Sequence, residues 1–160
     1  MASSQPVRPG GRVPRTGRPL PTALPQRLVL FDGVCGLCNR SIQWLVSRDE
    51  GRVLRYAPLQ GDTANRLRQS WPDTFPQAHD TVLFVDTSGE DVRILTRSRA
   101  VLAILRAIGR APTTTRILGW IPAPLLDLGY RALSAVRYRL FGRSDECRIP
   151  TPEERDLFLG

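Results

Sequence analysis

Residues 27–39 read RLVLFDGVCGLCN, an apolar run that gives way to two cysteines three positions apart. The run predicts a strand, two glycines permit a sharp turn, and apolar residues then recur at helical spacing to about residue 48. Cys35 and Cys38 are therefore expected on the first turn of a helix, where positions three apart are neighbours. At that spacing two sulfurs can close a small disulfide ring or separate as two thiols, which predicts dithiol chemistry.

The two cysteines are expected to have different roles. Cys35 lies where unpaired backbone N–H groups and the helix dipole favour negative charge, so it is the predicted nucleophile. Cys38, one turn further and expected to be more shielded, is the predicted resolving thiol that attacks a mixed disulfide and releases the partner. Asp32, at the end of the strand, either accepts backbone hydrogen bonds at the turn or carries the proton that the resolving thiol must lose.

The rest of the chain continues the alternation of strands and helices. A second strand at residues 53–57 is followed by a helix that begins near Asp62. Residues 81–86 and 92–95 have the pattern of an antiparallel hairpin, and another helix begins at about Ser98. The order β-α-β-α-β-β-α predicts an α/β fold with a mixed four-stranded sheet covered by helices. This is the thioredoxin-like arrangement, with the cysteine pair at the first strand-to-helix junction.

Additional C-terminal helices are predicted beyond this sheet. Residues 111–143 have helical periodicity with an apolar stripe surrounded by arginines, a pattern also found in helices that lie on membranes or partners. We expect the stripe to pack on the sheet, because the domain must cover its faces. Prolines 122 and 124 interrupt the apolar stretch, so no transmembrane segment is expected. A capping box at residues 151–154 predicts a last short helix to about Leu159. The apolar stripe within residues 111–143 consists of Leu125, Gly129, Leu133, Val136 and Leu140.

Several ordered motifs resemble one known family. They are residues 31–35, 38–39, 56–60, 96–98, 138–143 and 147–150. Together they resemble the DCC family of thiol-disulfide oxidoreductases, whose Asp-x-x-Cys-x-x-Cys motif is matched by Asp32, Cys35 and Cys38. The resemblance spans about residues 27 to 158. It implies a thioredoxin-like fold and disulfide exchange with protein or small thiol and disulfide substrates, without a cofactor. No proline precedes the third strand at residues 79–81, so the substrate groove is expected to differ from that of ordinary thioredoxins.

Composition separates a tail from a domain. Residues 1–26 contain six prolines, three glycines and four arginines without an acidic residue, which predicts a disordered basic tail. Residues 27–160 are predicted to form a single domain. The formal net charge is +8, but the sequence contains no basic stripe with interleaved aromatic residues of the kind that binds nucleic acid. A nucleic-acid partner is therefore not expected. The tail lacks the apolar run of a secretory signal, so a bacterial cytoplasm is the predicted compartment.

The cysteines leave two function classes open. The first is a dithiol-disulfide oxidoreductase, in which reversible oxidation is expected to spare Cys147. The second is a non-enzymatic thioredoxin-like module that docks on a partner protein or binds a metal through its cysteines. A structural zinc site needs four ligands, and beyond the pair only His79 and Cys147 are available, isolated from the pair and from each other. The first class is therefore favoured and no bound metal is expected. The sequence does not predict the oligomeric state.

Overall fold

The computed structural model of the chain describes residues 12–13, 24–77, 81–109, 112–142 and 151–159. Its strands are β1 (Arg12–Val13), β2 (Arg27–Phe31), β3 (Arg55–Pro58), β4 (Leu83–Asp86) and β5 (Val92–Thr96). Its α-helices are α1 (Gly36–Arg48), α2 (Asp62–Ser70), α3 (Arg97–Ala107), α4 (Pro112–Trp120) and α5 (Ala123–Phe141). The predicted order β-α-β-α-β-β-α is confirmed from β2 to α3, and α4 and α5 are the predicted additional helices.

One mixed sheet contains the described strands, in the spatial order β1-β5-β4-β2-β3. Strand β2 is parallel to β3 and antiparallel to β4, and β5 is antiparallel to β4. The predicted mixed four-stranded sheet is thus confirmed, and the short strand β1 extends it beside β5. Strand β1 falls within the predicted tail. Most of residues 1–26 lie outside the described part of the chain, so the disorder of that tail stays a prediction.

Alternating side chains of β2 build a core on each face of the sheet, because successive residues of a strand point to opposite faces. Leu28 and Leu30 are buried on one face, together with the inward residues of α2. Val29 and Phe31 are buried on the other face, against α1 and α3. Strand β2 is therefore covered on both sides, and its C-terminal end leads into the buried turn at Asp32.

The predicted C-terminal helix is shorter than expected. The Thr151 N–H donates to the Glu154 carboxylate at 3.2 Å, as a capping box requires, but only a 3₁₀ turn follows at residues 155–157. Leu157 is buried in the core, and the ring of Phe158 lies 5.4 Å from that of Tyr56 between centroids. The backbone of Phe158 also forms a bridge with Tyr56 of β3. The helix ends early because its last residues pair with the sheet edge.

The prediction that the apolar stripe of α5 packs on the sheet is wrong. Helix α5 lies against α1 and α3, which already cover that face of the sheet. Four side chains of the stripe are turned to solvent, since Leu125 is 59%, Leu133 45%, Val136 40% and Leu140 69% exposed. The inward face of α5 carries polar side chains instead, and these build the site described next. Within the described ranges, no helix is both long and apolar enough to span a membrane.

Candidate dithiol site

The two cysteines lie where the sequence predicted them, at the start of α1. Cys35 is the N-cap residue, in an extended backbone conformation, and its Sγ accepts a hydrogen bond from the Cys38 N–H at 3.4 Å. The Cys35 N–H donates to the Asp32 carbonyl at 3.3 Å, which closes the turn between β2 and α1. Both sulfurs are free thiols in this structure. A sulfur in the N-cap position takes the place of the side-chain oxygen that usually caps a helix, and negative charge is favoured there.

The end of α5 covers the first turn of α1. The Gly36 N–H donates to the Gly142 carbonyl at 3.3 Å. A Cβ atom on Gly36 would lie 2.2 Å from the Phe141 carbonyl oxygen, so only glycine fits at this contact. Cys35 beneath it is fully buried, whereas Cys38 is half-buried. The expectation that Cys38 is the more shielded thiol is therefore wrong, because local helix geometry does not reveal the arrival of α5 over Cys35.

A buried cluster of hydrogen bonds surrounds the Asp32 carboxylate. Its Oδ1 accepts from the Val34 N–H at 3.2 Å and from the Gln60 side-chain amide at 3.1 Å. Its Oδ2 accepts from Arg137 Nη2 at 2.8 Å and from the Tyr138 hydroxyl. Asp32 is 1% exposed, so four donors satisfy a carboxylate that water does not reach. The backbone hydrogen bond at the turn that was expected from the sequence is therefore present, and it involves only one of the two carboxylate oxygens, Oδ1.

Arg137 connects this cluster to the dithiol. Its Nη1 donates to Cys38 Sγ at 3.6 Å while its Nη2 pairs with Asp32. The side chain is 3% exposed and stacks over the Tyr138 ring at 4.7 Å. The sequence interpretation counted Arg137 among the arginines around the apolar stripe and missed both contacts. A signal was available, since Tyr130, Ser134 and Arg137 share a polar helix face, but nothing in the pattern indicated that this face is the inner one.

The environment of Cys38 disfavours its ionisation. Burial raises the pKa of Cys38 from 9.0 to about 12, and the neighbouring Cys35 sulfur adds to this increase. The positive charge of Arg137 acts in the opposite direction. Burial and the Asp32 carboxylate also raise the pKa of Tyr138, so its hydroxyl keeps the proton that it donates. Cys38 is therefore a protonated thiol at neutral pH, beside a cation that can stabilise its thiolate once it forms.

An apolar cavity of about 650 Å³ leads to Cys38. It lies between α1, α3 and α5, and its volume is in the range that small-molecule sites occupy. The cavity wall includes Leu37, Cys38, Trp44, Ile104, Leu133 and Arg137. Trp44 and Leu133 are each 45% exposed, so the cavity opens to solvent beside them. Cys38 is thus the cysteine that a molecule in this cavity would meet.

The described residues contain no cluster of three or more histidine, cysteine, aspartate and glutamate side chains that could hold a metal ion. His79 and Cys147, the further ligands considered from the sequence, lie outside the described residues. The expectation that oxidation spares Cys147 accordingly stays a prediction.

A mixed sheet with two cysteines at its first strand-to-helix junction defines a thioredoxin-like protein with a dithiol site. Residues 29–143 match the family described as DCC1-like thiol-disulfide oxidoreductase, and the chain belongs to this family. It is 33% identical over 138 residues to the uncharacterized protein YuxK of Bacillus subtilis (strain 168), covering 85% of this chain and 96% of that protein. It is 32% identical over 123 residues to a chloroplastic DCC family protein of Arabidopsis thaliana, covering 76% and 69% respectively. No solved structure matches the chain.

Proposed function

We propose that this protein is a thiol-disulfide oxidoreductase that exchanges protein or small-molecule disulfides through Cys35 and Cys38. The observation that carries the proposal is the unequal environment of the two sulfurs. Cys35 Sγ accepts a helix N–H, whereas the raised pKa of Cys38 keeps that thiol protonated. Attack followed by resolution requires a nucleophilic sulfur beside one that stays protonated until the mixed disulfide has formed, and the N-cap position of Cys35 beside Cys38 fits this requirement.

The reducing direction has two exchange steps. The Cys35 thiolate attacks one sulfur of the substrate disulfide, a Cys35–substrate disulfide forms, and the other substrate sulfur leaves as a thiolate that takes up a proton. Cys38 then loses its proton, and its thiolate attacks Cys35 Sγ. This closes the Cys35–Cys38 disulfide and releases the second substrate thiolate. The substrate gains two electrons and the protein loses them, and the oxidising direction is the reverse.

Arg137 and Asp32 act on the resolution step in this proposal. Resolution puts negative charge on Cys38, which burial opposes and the guanidinium of Arg137 favours. Asp32 holds that guanidinium in place through the 2.8 Å contact with Nη2. We further propose the Asp32 carboxylate as the group that receives the proton of Cys38. Asp32 therefore has two roles in this proposal, the positioning of Arg137 and the carriage of a proton.

Access to the dithiol involves two parts of the structure. A substrate can approach Cys38 through the apolar cavity, and its lining favours disulfides flanked by apolar groups. Cys35 is fully buried beneath the end of α5. Attack by Cys35 therefore requires the contact between Gly36 and Gly142 to open, and one backbone hydrogen bond of 3.3 Å joins these two residues.

Trapping of the mixed disulfide tests the proposal. Cys38→Ser removes the resolving thiol, so an apolar model disulfide should accumulate as a covalent adduct on Cys35, identified by peptide mass spectrometry. Cys35→Ser should trap nothing, because the Cys38 thiol stays protonated at neutral pH. Cys147→Ser is the matched control and should exchange disulfides as the unmodified chain does. An adduct on Cys38 rather than Cys35 would overturn the assignment of roles.

The non-enzymatic alternative gives a different result in the same preparation. An oxidoreductase should lose two thiols on mild oxidation and recover both with a reductant, with or without a chelator. A metal-binding module would instead show protection of its thiols by one equivalent of zinc and their exposure by the chelator. The absence of a reversible Cys35–Cys38 disulfide would remove the basis of the proposed activity.

A further inference from the structure

Helix α5 has the reverse of the usual polarity of a surface helix. Such a helix normally turns its apolar stripe to the core and its polar residues to water. In α5 several polar residues face inward instead. Asp127 accepts a hydrogen bond from Ser98 of α3, and the Tyr130 hydroxyl accepts one from the Val82 N–H at 3.1 Å. Arg137 reaches the dithiol site. The docking of α5 thus rests on polar contacts.

Apolar side chains occupy the outer face of α5 and the end of α4. We define the outer stripe as Trp120, Leu125, Leu128, Val136 and Leu140. These side chains are 89%, 59%, 62%, 40% and 69% exposed, respectively. Those on α5 recur at helical spacing along a helix of 19 residues, which is about 28 Å long. An extended apolar surface of this kind marks an interaction site.

Positive charge accompanies the outer stripe. Arg131 and Arg139 are exposed on α5, and Arg116 is exposed on α4. Residues 112–142 contain a single acidic residue, Asp127, and its carboxylate is bound to Ser98. The surface formed by α4 and α5 is therefore apolar and basic at once. A partner that fits it must present apolar material together with negative charge.

We propose that the outer stripe docks α5 along the surface of an anionic lipid bilayer. A helix lying in the membrane interface buries its apolar face at the boundary of headgroups and acyl chains, and adjacent arginines contact anionic headgroups. An exposed tryptophan at the end of the stripe suits this interface, because indole is apolar with one polar N–H. A second copy of the chain fits less well, since a twofold contact would bring equal positive surfaces together.

Docking in this orientation leaves the dithiol site intact. The α5 residues of the outer stripe are exposed whereas Arg137 is buried, so the contacts of Arg137 with Asp32 and Cys38 stay in place. The inference goes beyond the proposed exchange reaction and needs neither cysteine. The Cys35→Ser variant should therefore bind vesicles as well as the unmodified chain does.

Sedimentation of the full chain with lipid vesicles tests the electrostatic contribution to membrane docking. Binding is expected to phosphatidylcholine vesicles that contain phosphatidylglycerol, and it should weaken as salt is added. Arg131→Glu/Arg139→Glu should lower the partition coefficient about tenfold or more. The matched control Arg66→Glu/Arg155→Glu changes the net charge equally on exposed residues away from the stripe, and should stay within about twofold of the unmodified chain. Equal losses in both variants would overturn the proposal.

Tryptophan fluorescence tests whether the apolar side chains of the outer stripe enter the membrane. In a Trp44→Phe background the remaining tryptophans are Trp71, 1% exposed, and Trp120, 89% exposed, so the solvent-sensitive emission comes from Trp120. Anionic vesicles should shift this emission to shorter wavelength, and Leu128→Asp should abolish the shift. Unchanged emission with anionic vesicles would refute docking through the stripe. A dimer that Leu128→Asp dissociates in the absence of vesicles would assign the stripe to self-association instead.

Discussion

The guanidinium of Arg137 serves two acidic groups at once. It pairs with the Asp32 carboxylate and lies beside the Cys38 thiol, and both members of the ion pair are almost fully buried. Removing one partner from such a pair leaves an uncompensated charge and costs about 3–5 kcal/mol. The same contact therefore fixes α5 in position and adjusts the chemistry of a cysteine. At the residue scale, stability and reactivity share one side chain.

The reduced protein should lose stability in alkaline solution because of Cys38. Its pKa is raised from 9.0 to about 12, so between pH 9 and 12 the folded state holds a proton that the unfolded chain releases. The free energy of unfolding should fall across this window by up to about 1.4 kcal/mol per pH unit. Below pH 9 the contribution is fully present. Urea denaturation should show a shallower fall for Cys38→Ala, and equal slopes would contradict the raised pKa.

Replacement of Asp32 by asparagine should slow resolution without preventing attack. The variant should still form the mixed disulfide at Cys35, but resolve it about tenfold or more slowly near neutral pH, because Cys38 loses its proton acceptor and Arg137 loses the carboxylate that holds it. The deficit should shrink as pH rises toward 12 and Cys38 ionises unaided. The resolution rate is measured by stopped-flow absorbance as a chromogenic thiol is released from the mixed disulfide.

Asp49→Asn is the matched control for this experiment. Asp49 is also a buried carboxylate, and it accepts backbone hydrogen bonds from Val53 and Leu54 rather than contacting the dithiol. The Asp49→Asn variant should resolve the mixed disulfide at the same rate as the unmodified chain. Normal resolution in a folded Asp32→Asn variant would leave Asp32 with its structural contacts alone.

At the scale of elements, the decisive contact joins the start of α1 to the end of α5. It determines which cysteine is accessible, because the backbone at Phe141 and Gly142 covers the first turn of α1. Hydrogen bonds of α5 to α3 and to the segment before β4 hold the helix in this position. We therefore expect the exposure of Cys35 to depend on the docking of α5, a helix near the other end of the sequence.

Gly36→Ala should force the two elements apart. The added Cβ would meet the Phe141 carbonyl oxygen at 2.2 Å, and overpacking of this kind costs about 1–3 kcal/mol. In the reduced protein, Cys35 should then react faster with iodoacetamide, and peptide mass spectrometry measures the rate of this alkylation. Gly129→Ala is the matched control, because its Cβ meets nothing within 4 Å, and it should leave the Cys35 rate unchanged. A normal Cys35 rate in Gly36→Ala would show that α5 does not control access.

Across the whole molecule, the features that local patterns encode were predictable and those made by distant contacts were not. The alternation in β2 and the helical spacing of α1 depend on neighbours in sequence, so the sheet and the cysteine junction followed from them. The helical period of α5 revealed a stripe, but period alone does not say which face turns inward. That choice depends on the pairing of Arg137 with Asp32, a contact between residues 105 positions apart.

That separation has a consequence for the order in which the chain is made. Translation produces the Cys-x-x-Cys segment long before α5, and domains acquire long-range contacts only after both partners have been synthesised. A nascent chain that has already formed β2 and α1 carries its dithiol without the guanidinium at Cys38 and without the backbone of α5 over Cys35. The sulfur environment is therefore among the last parts of the fold to be completed, and the growing polypeptide gains its mature thiol reactivity only when its final long helix closes over the first.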